Sequence, residues 1–294
     1  MKSVFSLKSA INNAKNANPS GLSMEEKNRI IRSRQQELLA CFKDISVACD
    51  SLGVKLFLQG GTLLGKVRHN GFIPWDDDMD FGMSREDYNK LIALFDSTEL
   101  AENYEMRAPG YAKGAVTRFL QIYRKRDIEG IVPKKDAVWL DIFPIDNVPD
   151  SRFVRRIKGI RINALELIAG SIEFMETYDE ETVKRLKASF SGRVNYFLRA
   201  VVAFVFGRKK RQKYYTKIDK VIQCKKEGAY CSSATGRWHY FGEMQKTSVF
   251  FPQKRTEFCG TECWTVNQEQ EYLLHNYGAN YMVIPPEKAR ESHI

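Results

Sequence analysis

The chain has 294 residues, 43% of them hydrophobic and 12% aromatic, which excludes a wholly disordered protein and allows one large domain or two small ones. Its net charge of +10 is uneven: residues 151–226 hold 19 Lys and Arg against 7 Asp and Glu, so that stretch carries +12 and the remainder about −2. The longest apolar run, Ala200–Phe206, has seven residues, far short of the ~20 that cross a bilayer.

Residues 1–22 are rich in Asn, Ser and Lys and read as a flexible N-terminus. They lack the apolar stretch of a signal peptide, so a cytoplasmic location is expected, at its furthest the inner face of the membrane. Ser23 and Glu26 have the spacing of a capping box. Ile31, Leu38, Phe42, Ile45, Cys49 and Leu52 then recur at helical spacing up to a terminating Gly53. Val54–Gln59 reads as a strand, Gly60-Gly61 as a turn, and Thr62–Val67 as a short helix. A loop through Gly71 and Pro74 leads to a second strand, Asp78–Gly82. Ser84 caps a helix over Arg85–Phe95. Ala115–Tyr123 and Ala137–Phe143 read as strands. Residues 151–226 are helical and basic. The last stretch contains a strand pair near Glu257–Val266, a helix over Glu269–Asn276 and a stop at Pro285-Pro286. The organisation expected is a catalytic core over 23–150, a basic helical region over 151–226 and a C-terminal part over 227–294 that completes the core.

The cysteines are Cys41, Cys49, Cys224, Cys231, Cys259 and Cys263. Free thiols are the default without a secretory signal. A zinc site from the last four would need an unusual spacing.

The chemistry concentrates in residues 57–82. Asp76, Asp77, Asp78 and Asp80 lie within five positions, inside a hydrophobic flank of Phe72, Ile73, Trp75, Met79 and Phe81. Carboxylates crowded this way repel one another and resist desolvation. A hard divalent cation, magnesium or manganese, resolves the conflict. Asp78 and Asp80, two apart on a strand, project to one face. Asp141, alone among large apolar residues in Trp139–Phe143, is the best third ligand. Asp76 ranks above Asp77 because it shares the parity of Asp78 and Asp80. Gly60-Gly61-Thr62 before a helix start suits a phosphate, and Lys66 and Arg68 suit phosphate charge, Arg68 by bidentate contact. His69 is a weaker candidate for acid–base work. An acidic turn between strands is the bland alternative. An EF-hand fails on ligand order and lacks its closing Glu.

Gly60-Gly61-Thr62 with a downstream Asp-x-Asp and a later acid resembles the nucleotidyltransferase superfamily. More closely, Gly61-Thr-Leu-Leu-Gly-x-x-Arg-His-x-Gly-Phe-Ile-Pro-Trp-Asp-Asp-Asp-x-Asp80 is similar to the LicD family signature. The likeness continues in Asp141-Ile-Phe-Pro-Ile-Asp146 and in Glu271-Tyr-Leu, Tyr277-Gly and Pro285-Pro286-Glu287. It implies an α/β (α+β) nucleotidyltransferase-like fold, a mixed β-sheet flanked by helices with a helical basic insertion. It also implies transfer of phosphocholine or a related phospho-alcohol from a CDP-alcohol donor to a hydroxyl of a glycan or lipid-linked glycan, with Mg2+ or Mn2+ as cofactor. By the same resemblance Asp78, Asp80 and Asp141 are catalytic metal ligands, Gly60, Gly61 and Thr62 form the donor-phosphate turn, and Asp141 deprotonates the acceptor. A choline donor would call for an aromatic cage, for which Trp75, Trp238, Tyr240 and Trp264 are candidates.

Phe190–Tyr215 is a separate feature. Tyr196, Phe197, Val201, Phe204 and Val205 share a helical side, and Arg208-Lys-Lys-Arg211 with Lys213 follows. Such a helix suits peripheral contact with an anionic membrane, or else faces a core with a solvated basic end. The rival functions are a nucleotidyltransferase with an NTP donor and a nucleic-acid-binding protein using residues 151–226. No nucleic acid is expected as partner, because no RNA-binding signature accompanies the basic stretch and the aspartates oppose a phosphate backbone.

Overall fold

The computed structural model describes residues 23–111, 116–128, 137–178, 180–207, 210–287 and 290. The expected flexible N-terminus, and Arg208 and Lys209 of the basic cluster, lie outside the described residues.

The elements follow in the order α1 (Met24–Ser51), β1 (Phe57–Leu58), α2 (Gly60–His69), β2 (Asp80–Ser84), α3 (Arg85–Leu94), α4 (Leu100–Asn103), β3 (Tyr104–Arg107), β4 (Leu120–Arg124), α5 (Lys125–Ile128) and β5 (Trp139–Val148). Four helices come next, α6 (Arg152–Thr177), α7 (Glu180–Lys187), α8 (Phe190–Phe206) and α9 (Arg211–Ile222). The chain then forms β6 (Tyr230–Ser232), α10 (His239–Gly242), β7 (Met244–Lys246), α11 (Thr247–Phe250), β8 (Lys254–Phe258), β9 (Thr261–Thr265) and α12 (Glu269–Tyr277). The result is a mixed α/β fold.

The sheet runs β3-β4-β5-β2-β1-β9-β8, with β6 and β7 continuing from the far end of β5. β2 pairs parallel with β5, and β1 pairs parallel with β9. The other neighbours along the path are antiparallel. Strand β9 therefore brings the C-terminal part of the chain beside β1.

Helix α1 starts on the capping box read from the sequence: the Ser23 hydroxyl accepts the Glu26 N–H while the Glu26 carboxylate accepts the Ser23 N–H. Its apolar stripe of Ile31, Leu38, Phe42 and Ile45 is buried, and the Phe42 ring stacks on Phe81 of β2 at 4.9 Å. The chain leaves the helix through Gly53 at φ 63°, a conformation that favours glycine.

A second core, around Ile162, Leu165, Tyr215 and Ile218, holds α6 against α9. It is tied to the sheet by Arg85 at the start of α3. The Arg85 guanidinium donates to both oxygens of Asp146 on β5, at 2.8 and 2.6 Å, and to Asp219 of α9 at 2.8 Å. This fork-to-fork pair is almost fully buried. The acid that ends Asp141-Ile-Phe-Pro-Ile-Asp146 thus serves as a clamp.

Candidate active site

The site is built where β1, β2 and β5 lie side by side. Asp80 stands opposite Asp141 in the parallel ladder, and Gln121 of β4 stands opposite Asp141 on its other side. The Gln121 amide donates to Asp141 Oδ1 at 2.8 Å, fixing that carboxylate's orientation. One row across three strands therefore carries Gln121, Asp141 and Asp80.

The strand expected from Asp78 begins two residues later, at Asp80. Residues 73–76 form a turn within the expected loop, with the Asp76 N–H donating to the Ile73 carbonyl at 3.0 Å. Gln35 of α1 pins that turn by donating to the carbonyls of Ile73 and Asp76, at 3.0 and 2.7 Å. Parity nevertheless holds. Asp76, Asp78 and Asp80 line one cleft, whereas Asp77 is buried on the opposite side with its carboxylate 3.9 Å from Arg34.

The glycine turn makes room for two carboxylates. Gly60 has φ 54°, and a Cβ there would stand 2.5 Å from Asp80 Oδ2. A Cβ on Gly61 would stand 2.8 Å from Asp76 Oδ2. Both glycines clear room for carboxylates. The Gly61 N–H bonds to Asp80, and the Gly60 N–H donates to the Tyr272 hydroxyl at 3.1 Å. Gly60 and Gly61 line the cleft beside the aspartates, at the first turn of α2. Thr62 is buried outside the cleft lining, and its hydroxyl accepts the Asp80 N–H at 2.8 Å.

Burial, followed by the Asp78, Asp141 and Asp76 carboxylates, pushes the Asp80 carboxyl well above its usual range, and the Gly61 amide only partly opposes this. An all-oxygen donor set of this kind suits a hard divalent ion. As the side chains stand, no three His, Cys, Asp or Glu among the described residues form a finished metal cage. Magnesium does not require one, because it commonly keeps several waters and takes one or two carboxylates with substrate phosphates.

The cleft has a volume of about 420 Å³ and opens between the aspartates and the C-terminal part of the chain. Arg68 lines it, donating to the carbonyls of Tyr281 and Val283 at 3.0 and 3.4 Å and to His69 Nε2 at 3.0 Å. His69 accepts this bond, and burial with the Arg68 charge lowers its pKa, so it holds Arg68 in place as a neutral ring. Lys66 is absent from the lining. Its ammonium bonds Glu269 at 2.7 and 2.9 Å.

Several lining residues escaped the sequence reading: Arg237, Glu243, Asn276 and Phe143. Glu243 is buried and accepts the Trp238 N–H at 2.9 Å, which fixes the loop carrying Arg237 and Trp238. No local pattern marked Arg237, Glu243 and Asn276, which lie more than 150 residues from Asp76, Asp78 and Asp80 in sequence. Tyr272, Tyr277 and Pro285 also line the cleft, and they belong to the C-terminal stretches that carried the family likeness. Burial first, then the Asp80 and Asp76 charges, raises the Tyr277 phenol pKa.

Of the four aromatic cage candidates, Trp75 and Trp238 line the cleft and Tyr240 and Trp264 do not. Both lining rings already carry guanidinium groups: Arg290 lies 4.4 Å and Arg68 5.9 Å from Trp75, and Arg237 lies 5.4 Å from Trp238.

The site thus combines a glycine turn into a helix, Asp80 opening the next strand and Asp141 in register on the neighbouring parallel strand. Residues 53–154 match the LicD/FKTN/FKRP nucleotidyltransferase domain family. Over 276 residues it is 27% identical to the lipopolysaccharide cholinephosphotransferase LicD of Haemophilus influenzae, spanning 90% of this chain and 95% of that protein. Over 45 residues it is 50% identical to the human ribitol 5-phosphate transferase FKRP, spanning 15% of this chain and 9% of that protein.

Proposed function

We propose that this protein is a metal-dependent phosphotransferase of the LicD type. It moves phosphocholine or a related phospho-alcohol from a CDP-activated donor to a hydroxyl of a cell-surface glycan precursor. The observation that carries the reading is the convergence of Asp76, Asp78 and Asp80 in one arginine-bearing cleft, with Asp141 in register beside Asp80.

Asp78, Asp80 and Asp141 would hold magnesium or manganese, and the bound ion would supply neutralisation of donor phosphate charge and acidification of the acceptor hydroxyl. Arg68 and Arg237 grip the donor diphosphate from the cleft wall. Gln121 keeps Asp141 in a single orientation, which suits a fixed ligand better than a base that must meet the acceptor. In the transfer, the acceptor oxygen bonds the phosphorus distal to the nucleoside, the bond from that phosphorus to CMP breaks, and the acceptor hydroxyl proton passes to solvent water.

Calorimetric titration of CDP-choline, CDP-ribitol, CDP-glycerol and CTP, each with and without magnesium, tests the reading. Metal-dependent binding of one CDP-alcohol in preference to CTP supports it and names the donor. Preference for CTP would move the protein to nucleotidyl transfer.

A further inference from the structure

The helical region contains a surface that the transferase reading does not use. Helix α8 packs inward through Tyr196, Arg199 and Ala203. The Tyr196 ring meets Phe174 of α6 at 6.1 Å, Arg199 donates to the Gly170 carbonyl at 3.3 Å, and Ala203 is buried. Tyr196 is thereby removed from the apolar side on which the sequence placed it.

The opposite side of α8 is open. Phe190, Val194, Phe197, Val201, Phe204 and Val205 recur at helical spacing and are all exposed, Phe197 by 64% and Phe204 by 78%. Isolated exposed apolar residues are ordinary, but a continuous stripe along 17 residues is not. The helix contains no Asp or Glu. Exposed cations flank the stripe: Lys184 and Lys187 before it, alongside an Arg185–Glu181 ion pair, Arg193 within α8, and Lys210 and Lys213 after it. No helix among the described residues is long and apolar enough to cross a membrane.

We infer that α8 is an in-plane anchor, docking its outer face on an anionic lipid bilayer with the flanking lysines and arginines at the headgroups. Charge complementarity decides between a bilayer and a second copy of the chain. Twofold pairing through this face would set two predominantly basic margins against each other, with Arg185 already paired to Glu181 of its own helix, whereas an anionic leaflet satisfies both the apolar stripe and its basic margins. The inference stands whether or not the cleft transfers phospho-alcohols.

The test is flotation of the full chain with vesicles of phosphatidylglycerol mixed with phosphatidylcholine, and with phosphatidylcholine alone. The native protein should float with the anionic vesicles at low salt and be released by high salt. Phe197→Glu with Phe204→Glu should weaken vesicle binding about tenfold or more with an unchanged circular dichroism spectrum and melting temperature. Val47→Glu, at an exposed apolar position on α1, should bind like the native chain. Failure of the native chain to bind anionic vesicles at low salt would overturn the inference. So would undiminished binding by the double variant, or a native dimer in light scattering that the double variant dissolves.

Discussion

Gly60 and Asp80 illustrate how single residues set the site. The backbone of Gly60 is left-handed, and its missing Cβ is the space that Asp80 Oδ2 fills. Gly60→Ala should therefore lower turnover at least about 100-fold and cost about 1–3 kcal/mol of stability, read from kcat and urea unfolding. Asp80→Asn keeps the shape of the side chain and removes its charge, so turnover should vanish while the urea midpoint stays close to that of the native protein. The cations separate by placement. Lys66→Ala should leave turnover within about threefold, because its ammonium is paired with Glu269 away from the cleft. Arg237→Ala should raise KM for the donor about tenfold or more. The aspartate parity was legible in the sequence because alternation along an extended chain is local geometry. The roles of Lys66, Thr62 and the two glycine amides were not. Each depends on a partner brought by tertiary packing: Glu269, the Asp80 amide, Tyr272 and the Asp80 carboxylate.

Among the elements, α1 was read correctly because its cap, stripe and terminating glycine are all local signals. Strand β2 begins at Asp80 rather than Asp78, although the Met79 carbonyl already accepts the Asp141 N–H at 3.2 Å. The short strands β3, β6 and β7 carry only three or four residues each and gave no periodicity to detect. The most testable link between elements is the Arg85 clamp, which joins α3, β5 and α9. Arg85→Met would leave Asp146 buried without its cation. It should cost about 3–5 kcal/mol in urea unfolding, because an unpaired buried carboxylate is far more expensive than a lost surface pair.

Over the whole molecule, the sheet gathers residues from both ends of the described chain around one cleft. β1 and β2 bring the glycine turn and aspartates, β5 brings Asp141, and β9 leads into α12 with Tyr272 and Tyr277. The family likeness pointed to these distant stretches, and the topology supplies the reason they belong together. The basic helices stand apart from that arrangement and offer the surface assigned to the bilayer. The most direct test of the central claim is release of CMP from CDP-choline and CDP-ribitol, followed by phosphorus NMR with magnesium and again with EDTA, for the native chain and Asp80→Asn. The account predicts CMP from the native chain with magnesium alone. CMP formed equally in EDTA, or equally by Asp80→Asn, would contradict it.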